Sequence, residues 1–319
     1  MSNSDMLLEV RHLSKVFRTG NSKIHAVDDI SFSIRRGETL GLVGESGCGK
    51  STVGRTILQL IPLTSGEIIY DGTPITGLKG RQMAPFRRKM QMVFQDPYSS
   101  LNPRYRIGET VGEAMRFHKL VSSRRECEQR VAELLKMVGL QPGDAGKFPH
   151  EFSGGQRQRI GIARALSLEP EFLICDEPVS ALDVSIQSQI LNLLADLRQQ
   201  MGLTMIFVAH GLNVVKHISD WIGVMYLGKL VEIASSDDLF QHQFHPYTQA
   251  LLSAIPEPQL DAHKQQILLG GELPSPANPP KGCRFCTRCP YASERCHAEE
   301  PILQPVGTGR QVACFYPVS

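Results

Sequence analysis

The strongest constraint on this chain is the stretch GESGCGKS at 44–51, entered from the apolar run 40–43 and followed by a helix-compatible segment at 51–60. It matches G-x-x-x-x-G-K-[ST], and a strand before it with a helix after it is the context that gives the pattern meaning. Glycines let backbone N–H groups wrap phosphate oxygens where a side chain would block approach. The helix behind turns its positive end towards the same anion. The candidate phosphate-binding residues are therefore Gly44, Glu45, Ser46, Gly47, Cys48, Gly49, Lys50, Ser51 and Thr52. Lys50 would bring charge to the outer phosphates and Ser51 a hydroxyl to Mg2+. This alone says nucleoside triphosphate and leaves open what its energy drives.

The rest of the pattern is compatible with such a site. Apolar runs at 172–175 and 204–209 bracket an amphipathic segment, 185–200, with Ile186, Ile190, Leu193, Leu194 and Leu197 on one side. Strand, helix, strand with continuous apolar strands predicts a parallel sheet covered on both faces, an α/β fold. Residues 7–70 read as short strands and turns, and 90–166 as more polar and helix-prone, with Val131, Leu134, Leu135 and Met137 at helical spacing. Residues 224–233 read as a hairpin about Gly228 and Lys229. After Pro256 the texture changes, first to a proline-rich linker at 271–281 and then to a cysteine-rich tail; there is no internal repeat.

Composition narrows the partners. Net charge is +2, with no basic stripe, so nucleic acid is not expected; the run Arg87-Arg88-Lys89 reads as a solvated face. Residues 1–8 lack the pattern of a secretory signal, and apolar runs such as 205–209 fall far short of the roughly 20 residues that span a bilayer. Membrane association is expected through a partner.

Two further stretches carry chemistry. In EFLICDE, 171–177, an apolar strand ends in two carboxylates. In a parallel sheet that edge faces the phosphates, which suits Asp176 to Mg2+ and Glu177 to polarising the attacking water. In FSGGQ, 152–156, Ser153 resembles an N-cap, and Gly154, Gly155 and Gln156 open a second helix start suited to anions. One nucleotide needs one phosphate loop, so the second start suggests service to the nucleotide of another molecule.

With these motifs in register, the chain resembles the ABC ATPase family over residues 7 to about 235. Residues 44–51 match its Walker A motif, 153–156 its signature (Phe152 standing where Leu is usual), Asp176 and Glu177 its Walker B pair, and 180–183, ending in Asp183, its D-loop. Gln95 matches the Q-loop glutamine, which also reaches Mg2+; His210 matches the switch histidine, and Phe17 the aromatic under the adenine. The resemblance implies a P-loop NTPase core with an antiparallel β subdomain and a helical signature subdomain at about 95–165. It also implies two ATPase domains closing head to tail on two ATPs. Gly211 departs from the family, which commonly has Asp after the histidine.

QDPYSSLNPR at 95–104, HPYTQALLSAIP at 245–256 and GELPSPANPPKG at 271–282 resemble the oligopeptide and dipeptide importer ATPases, nearest the F-type member of the pair. That implies an ATPase domain at 1–255, a C-terminal extension at 256–319, and a 95–104 loop facing the permease. Implied partners are a second, different ABC ATPase, two permease subunits and an extracytoplasmic binding protein. The chain is then expected on the cytoplasmic face of the inner membrane. Nickel, haem or another small solute is the alternative cargo, and an ABC ATPase without membrane partners the more distant alternative.

Of eight cysteines, Cys48, Cys127 and Cys175 are scattered, while Cys283, Cys286, Cys289, Cys296 and Cys314 crowd the tail. Clustered thiols in a cytosolic chain suggest metal more than disulfides. The importer resemblance implies a [4Fe–4S] cluster on Cys283, Cys289, Cys296 and Cys314. Cys286 complicates this by making a C-x2-C-x2-C run, and structural zinc, or uncoordinated or disulfide-bonded cysteines, remain open. Cys48, a small residue in a tight turn, is expected to be open to alkylation.

Overall fold

The computed structural model describes residues 5–20, 22–96, 98–255, 266–307 and 309–318. Pro97 and the expected domain boundary at 255/256 with its following residues, to 265, lie outside the described residues. The chain forms two compact units: Met1–Gly77 together with Phe207–Ser319, and Leu78–Ile206.

The first unit opens with β1 (Met6–Thr19) and β2 (Ser22–Arg35), an antiparallel pair of 14-residue strands. Short strands and turns were expected here. The register shifts between Val10 and Leu13 and again before Lys15, and His12 and Asp29 are left-handed. Such bulges move side chains from one face to the other, which breaks the alternation that marks a long strand. β3 (Thr39–Val43) is buried throughout and runs into the phosphate loop, after which α1 spans Lys50–Ile57. β4 (Ser65–Tyr70) and β5 (Thr73–Pro74) complete an antiparallel sheet of order β2-β1-β4-β5.

The second unit contains α2 (Ala84–Lys89), β6 (Met90–Val93), α3 (Ile107–Phe117), α4 (Arg124–Met137), α5 (Gly154–Leu166), β7 (Phe172–Asp176) and α6 (Val184–Met201). β6 and β7 are parallel, Met90 opposite Phe172 and Val93 opposite Cys175. Ile107, Val111 and Met115 of α3, Val131 and Leu135 of α4, and Ile160 and Ile162 of α5 are buried. Arg87 and Arg88 are solvated as expected, while Lys89 pairs with Glu171 at 2.8 Å.

β8 (Thr204–Ala209) carries the chain back to the first unit. There follow α7 (Leu212–Lys216), β9 (Trp221–Tyr226), β10 (Lys229–Ser235), α8 (Ser236–Gln241), α9 (Pro246–Ser253), α10 (Glu294–Ala298), β11 (Gln304–Pro305) and β12 (Gln311–Val312). The β9–β10 turn sits on Leu227 and Gly228, both left-handed, one residue before the expected position. Within this unit the strands lie in the order β11-β12-β10-β9-β3, with β9 parallel to β3 and β12 antiparallel to β10. The cysteine-rich stretch therefore contributes two strands to the sheet that feeds the phosphate loop. Among the described residues no helix is long and apolar enough to cross a membrane.

Candidate nucleotide site

In the first unit the phosphate loop is held by backbone contacts that leave no room for side chains. Gly44 and Gly49 have φ of 152° and 108°; a Cβ on them would lie 2.1 Å from the Met225 carbonyl and 2.0 Å from the Ala26 carbonyl. Gly47 (φ 79°) has nothing within 4 Å of its would-be Cβ, so that side is open to an anion. Gly228 N donates to Cys48 O at 2.9 Å, tying the loop to the β9–β10 turn. Gly49 caps α1 without a side-chain hydrogen bond, which leaves first-turn N–H groups for phosphate. Lys50 is 3% exposed, and its Nζ donates to Gly44 O (2.8 Å) and Glu45 O (3.1 Å). Its charge is thus already inside the loop. Ser51 and Thr52 follow in the first turn of α1.

Cys48 is a correction. It is 1% exposed, and burial pushes its thiol up from the ordinary range, with Lys50 opposing. A buried, protonated thiol alkylates slowly.

Phe17 lies on β1, 38% exposed, with Lys15 Nζ 4.8 Å from its ring centroid, so one aromatic face is available for stacking. His210 is exposed between β8 and α7. Gly211 is the N-cap of α7, at φ −105° and without a side-chain bond. Replacing a capping side chain by Gly costs a few tenths of a kcal/mol, so this departure is cheap.

In the second unit Asp176 closes β7 fully buried, and Glu177 follows in the left-handed region at φ 47°. Backbone strain of that kind persists where the surroundings impose it. Gln95 Nε2 donates to Glu177 Oε2 at 2.5 Å, so two of the three expected catalytic residues are in direct contact. At α5, Ser153 Oγ accepts from Gln156 N (3.3 Å) while Gln156 Oε1 accepts from Ser153 N (3.0 Å), a capping box. Phe152 is buried and anchors the motif, while Ser153, Gly154 and Gln156 are exposed. A Cβ on Gly155 would lie 2.5 Å from Ile186 Cγ2, and one on Gly154 3.4 Å from Leu182 Cδ2. Asp183 caps α6, accepting from Ile186 N (3.0 Å) and Ser185 Oγ (2.9 Å), and those bonds hold its carboxyl below the usual range. The signature and D-loop residues are therefore neighbours.

The tail cysteines Cys283, Cys286, Cys289, Cys296 and Cys314 line one cavity with Phe285 and Tyr291, and none is in a disulfide. Burial pushes Cys283 up to about 12. Among the described residues, no group of three or more His, Cys, Asp or Glu side chains is placed to hold a metal ion. The zinc alternative, with ligands converging at roughly 2.0–2.3 Å, therefore has no support among the described residues. A cubane takes one thiolate per iron, so its ligands need not converge on a point, and thiols in one cavity match its donor set. The cavity includes Cys286, which the four-ligand expectation leaves out.

Residues that the sequence reading missed surround Glu45. Arg288 Nη1 donates to Glu45 Oε1 (3.0 Å) and Oε2 (2.9 Å) and lies 3.5 Å from Tyr226 Oη. Glu45 N donates to Tyr247 Oη at 2.9 Å. Tyr226, Tyr247 and Phe285 pack with ring centroids 4.7–5.4 Å apart. The available signal was an acidic residue inside a loop built for anions, which calls for a cation elsewhere in the chain.

Comparison with known proteins agrees with this geometry. Residues 27–180 match the ABC transporter family model, and residues 231–296 the oligopeptide/dipeptide transporter C-terminal region. YkfD of Bacillus subtilis (strain 168), which carries the name of an oligopeptide transport ATP-binding protein, is 54% identical, with 97% of this chain and 94% of YkfD covered. AppF of the same organism, an oligopeptide transport ATP-binding protein, is 50% identical, with 98% of each chain covered. The dimeric ATP-binding cassette MJ0796, solved in a post-hydrolysis state with ADP and Pi, superposes with a TM-score of 0.67 at 31% identity, covering 72% of this chain and 99% of that one. The chain belongs to the ATP-binding proteins of the ABC transporter family, in the branch that carries the oligopeptide/dipeptide transporter C-terminal region.

Proposed function

We propose that this chain is the ATP-hydrolysing motor of an importer for di- and oligopeptides. The observation that carries the reading is that one chain holds a preformed phosphate loop, a Gln95–Glu177 contact behind a buried Asp176, and an exposed, capped signature helix. The names of YkfD and AppF support the cargo.

In this mechanism the N–H groups of the 44–52 loop other than that of Glu45, together with Lys50, bind the phosphates, and Phe17 stacks on the adenine. Ser51, Asp176 and Gln95 would hold Mg2+, which supplies positive charge to the phosphates when bound. Glu177 accepts the proton of the attacking water, its carboxylate oriented by Gln95. His210 donates to the phosphoryl oxygens. Ser153, Gly154, Gly155 and Gln156, with Asp183 beside them, meet the nucleotide of a second, different ABC ATPase. ATP stabilises the closed pair through contacts that the open pair lacks. Two permease subunits and an extracytoplasmic binding protein complete the importer, and the chain sits on the cytoplasmic face through the permeases. Tyr98 and Tyr105, exposed in and beside the 95–104 loop, face those permeases. Cys283, Cys289, Cys296 and Cys314 would hold a [4Fe–4S] cluster as a structural cross-link of the tail.

Affinity purification from native membranes in mild detergent tests this. Recovery of a second ATPase, two permeases and a peptide-loaded binding protein is the expected result. Recovery of ribosomes or nucleic acid without permeases would sink the transporter reading, and a non-peptide ligand would sink the cargo.

A further inference from the structure

Glu45 is the single acidic residue in a loop, 44–52, whose ligand is a polyanion. A carboxylate free to turn towards triphosphate would repel it. The structure answers this with a residue 243 positions away. Arg288 Nη1 donates to both Glu45 oxygens, at 3.0 and 2.9 Å, and the two side chains are only 10% and 28% exposed. Arg288 lies between Cys286 and Cys289, and its segment is itself anchored. Arg284 pairs with Asp28 of β2, Lys229 of β10 approaches the same Asp28 at 3.3 Å, and Phe285 packs against both Tyr226 and Tyr247. The tyrosine that accepts the Glu45 backbone N–H belongs to that same aromatic group.

We infer that Arg288 is a positioning residue for ATP binding: it neutralises the Glu45 carboxylate and holds it away from the triphosphate, so that the cysteine-rich segment sets the affinity of the phosphate loop. This rests on the nucleotide-site reading above. Because Glu45 does no binding through its carboxylate, the harm done by losing Arg288 depends on that carboxylate being present.

The test is ATP binding by the full-length chain, measured calorimetrically, with thermal denaturation as a check on folding. Wild type must bind ATP; if it does not, the nucleotide-site reading fails rather than this one. Arg288→Ala is expected to weaken ATP binding about tenfold, with KM raised and kcat at saturating ATP within about twofold. The defect is expected to shrink as salt screens the exposed carboxylate. Arg288→Lys, which keeps the charge, recovers part of it. The decisive variant is Arg288→Ala with Glu45→Ala, expected to bind ATP more tightly than Arg288→Ala alone and to lose the added salt dependence. A folded Arg288→Ala with unchanged affinity overturns the inference, as does a double variant as weak as Arg288→Ala. If Arg288→Ala does not fold, Arg288→Gln, which keeps the bulk and loses the charge, takes its place, and unchanged affinity there overturns the inference too.

Discussion

Two helix starts in this chain are proposed to meet phosphate, and they are built in opposite ways. α1 begins behind glycines pressed against the Ala26 and Met225 carbonyls, with Lys50 buried among loop oxygens and no side chain capping its first turn. α5 begins with its own cap, Ser153 and Gln156 satisfying each other's backbone groups, and with Ser153, Gly154 and Gln156 exposed. The first start is enclosed by its own chain and waits for an anion. The second is stable without one and keeps its face open. Damage to α1 should therefore appear in the isolated chain, and damage to α5 in the assembled transporter.

The largest effect is expected at the end of β7, in the second unit. Glu177→Gln is expected to lower ATP turnover about 10²–10⁴-fold while ATP binding persists, measured by single-turnover hydrolysis against equilibrium binding. Turnover near wild type would remove Glu177 from the role of base. Next, Gly49→Ala places a Cβ 2.0 Å from a backbone oxygen at φ 108°. It is expected to cost about 2–4 kcal/mol in stability and to abolish ATP binding by the isolated chain, seen in denaturant titration. A variant as stable as wild type would mean that the loop is not enclosed as described. Ser153→Ala should cost about 1 kcal/mol of helix capping. Its ATP affinity as an isolated chain should be unchanged, whereas ATPase of the reconstituted importer falls; weakened binding by the isolated chain would erase the contrast between the two starts. The smallest effect is Gly211→Asp, which restores a capping side chain to α7 and should add a few tenths of a kcal/mol, read as a small rise in Tm. A large change would show that Gly211 does more than cap.

The same contrast explains what could be read from the sequence. α1 with its loop, the Asp176–Glu177 strand end and the Ser153 cap are local arrangements, each fixed by residues within a few positions, so their letters announced them. β1 and β2 were legible only as broken pieces, because left-handed His12 and Asp29 interrupt the alternation without ending the strands. The Arg288–Glu45 pair had only half a signature: an acidic residue in a loop built for anions calls for a cation, but nothing near Glu45 says which one, 243 residues away. The burial of Cys48 was missed for a related reason. A tight turn suggests exposure, and what covers this one comes from β2 and the β9–β10 turn.

The separation of Glu45 and Arg288 also has a consequence in time. A ribosome adding roughly 5–20 residues per second needs about 10–50 s to travel the 243 residues between them. Through that interval the nascent phosphate loop carries its carboxylate without the guanidinium that masks it. With Arg288 as the mask inferred above, the loop becomes fully receptive to nucleotide only once the cysteine-rich segment has been made, and a chain broken off after β10 would be handicapped as a consumer of cellular ATP.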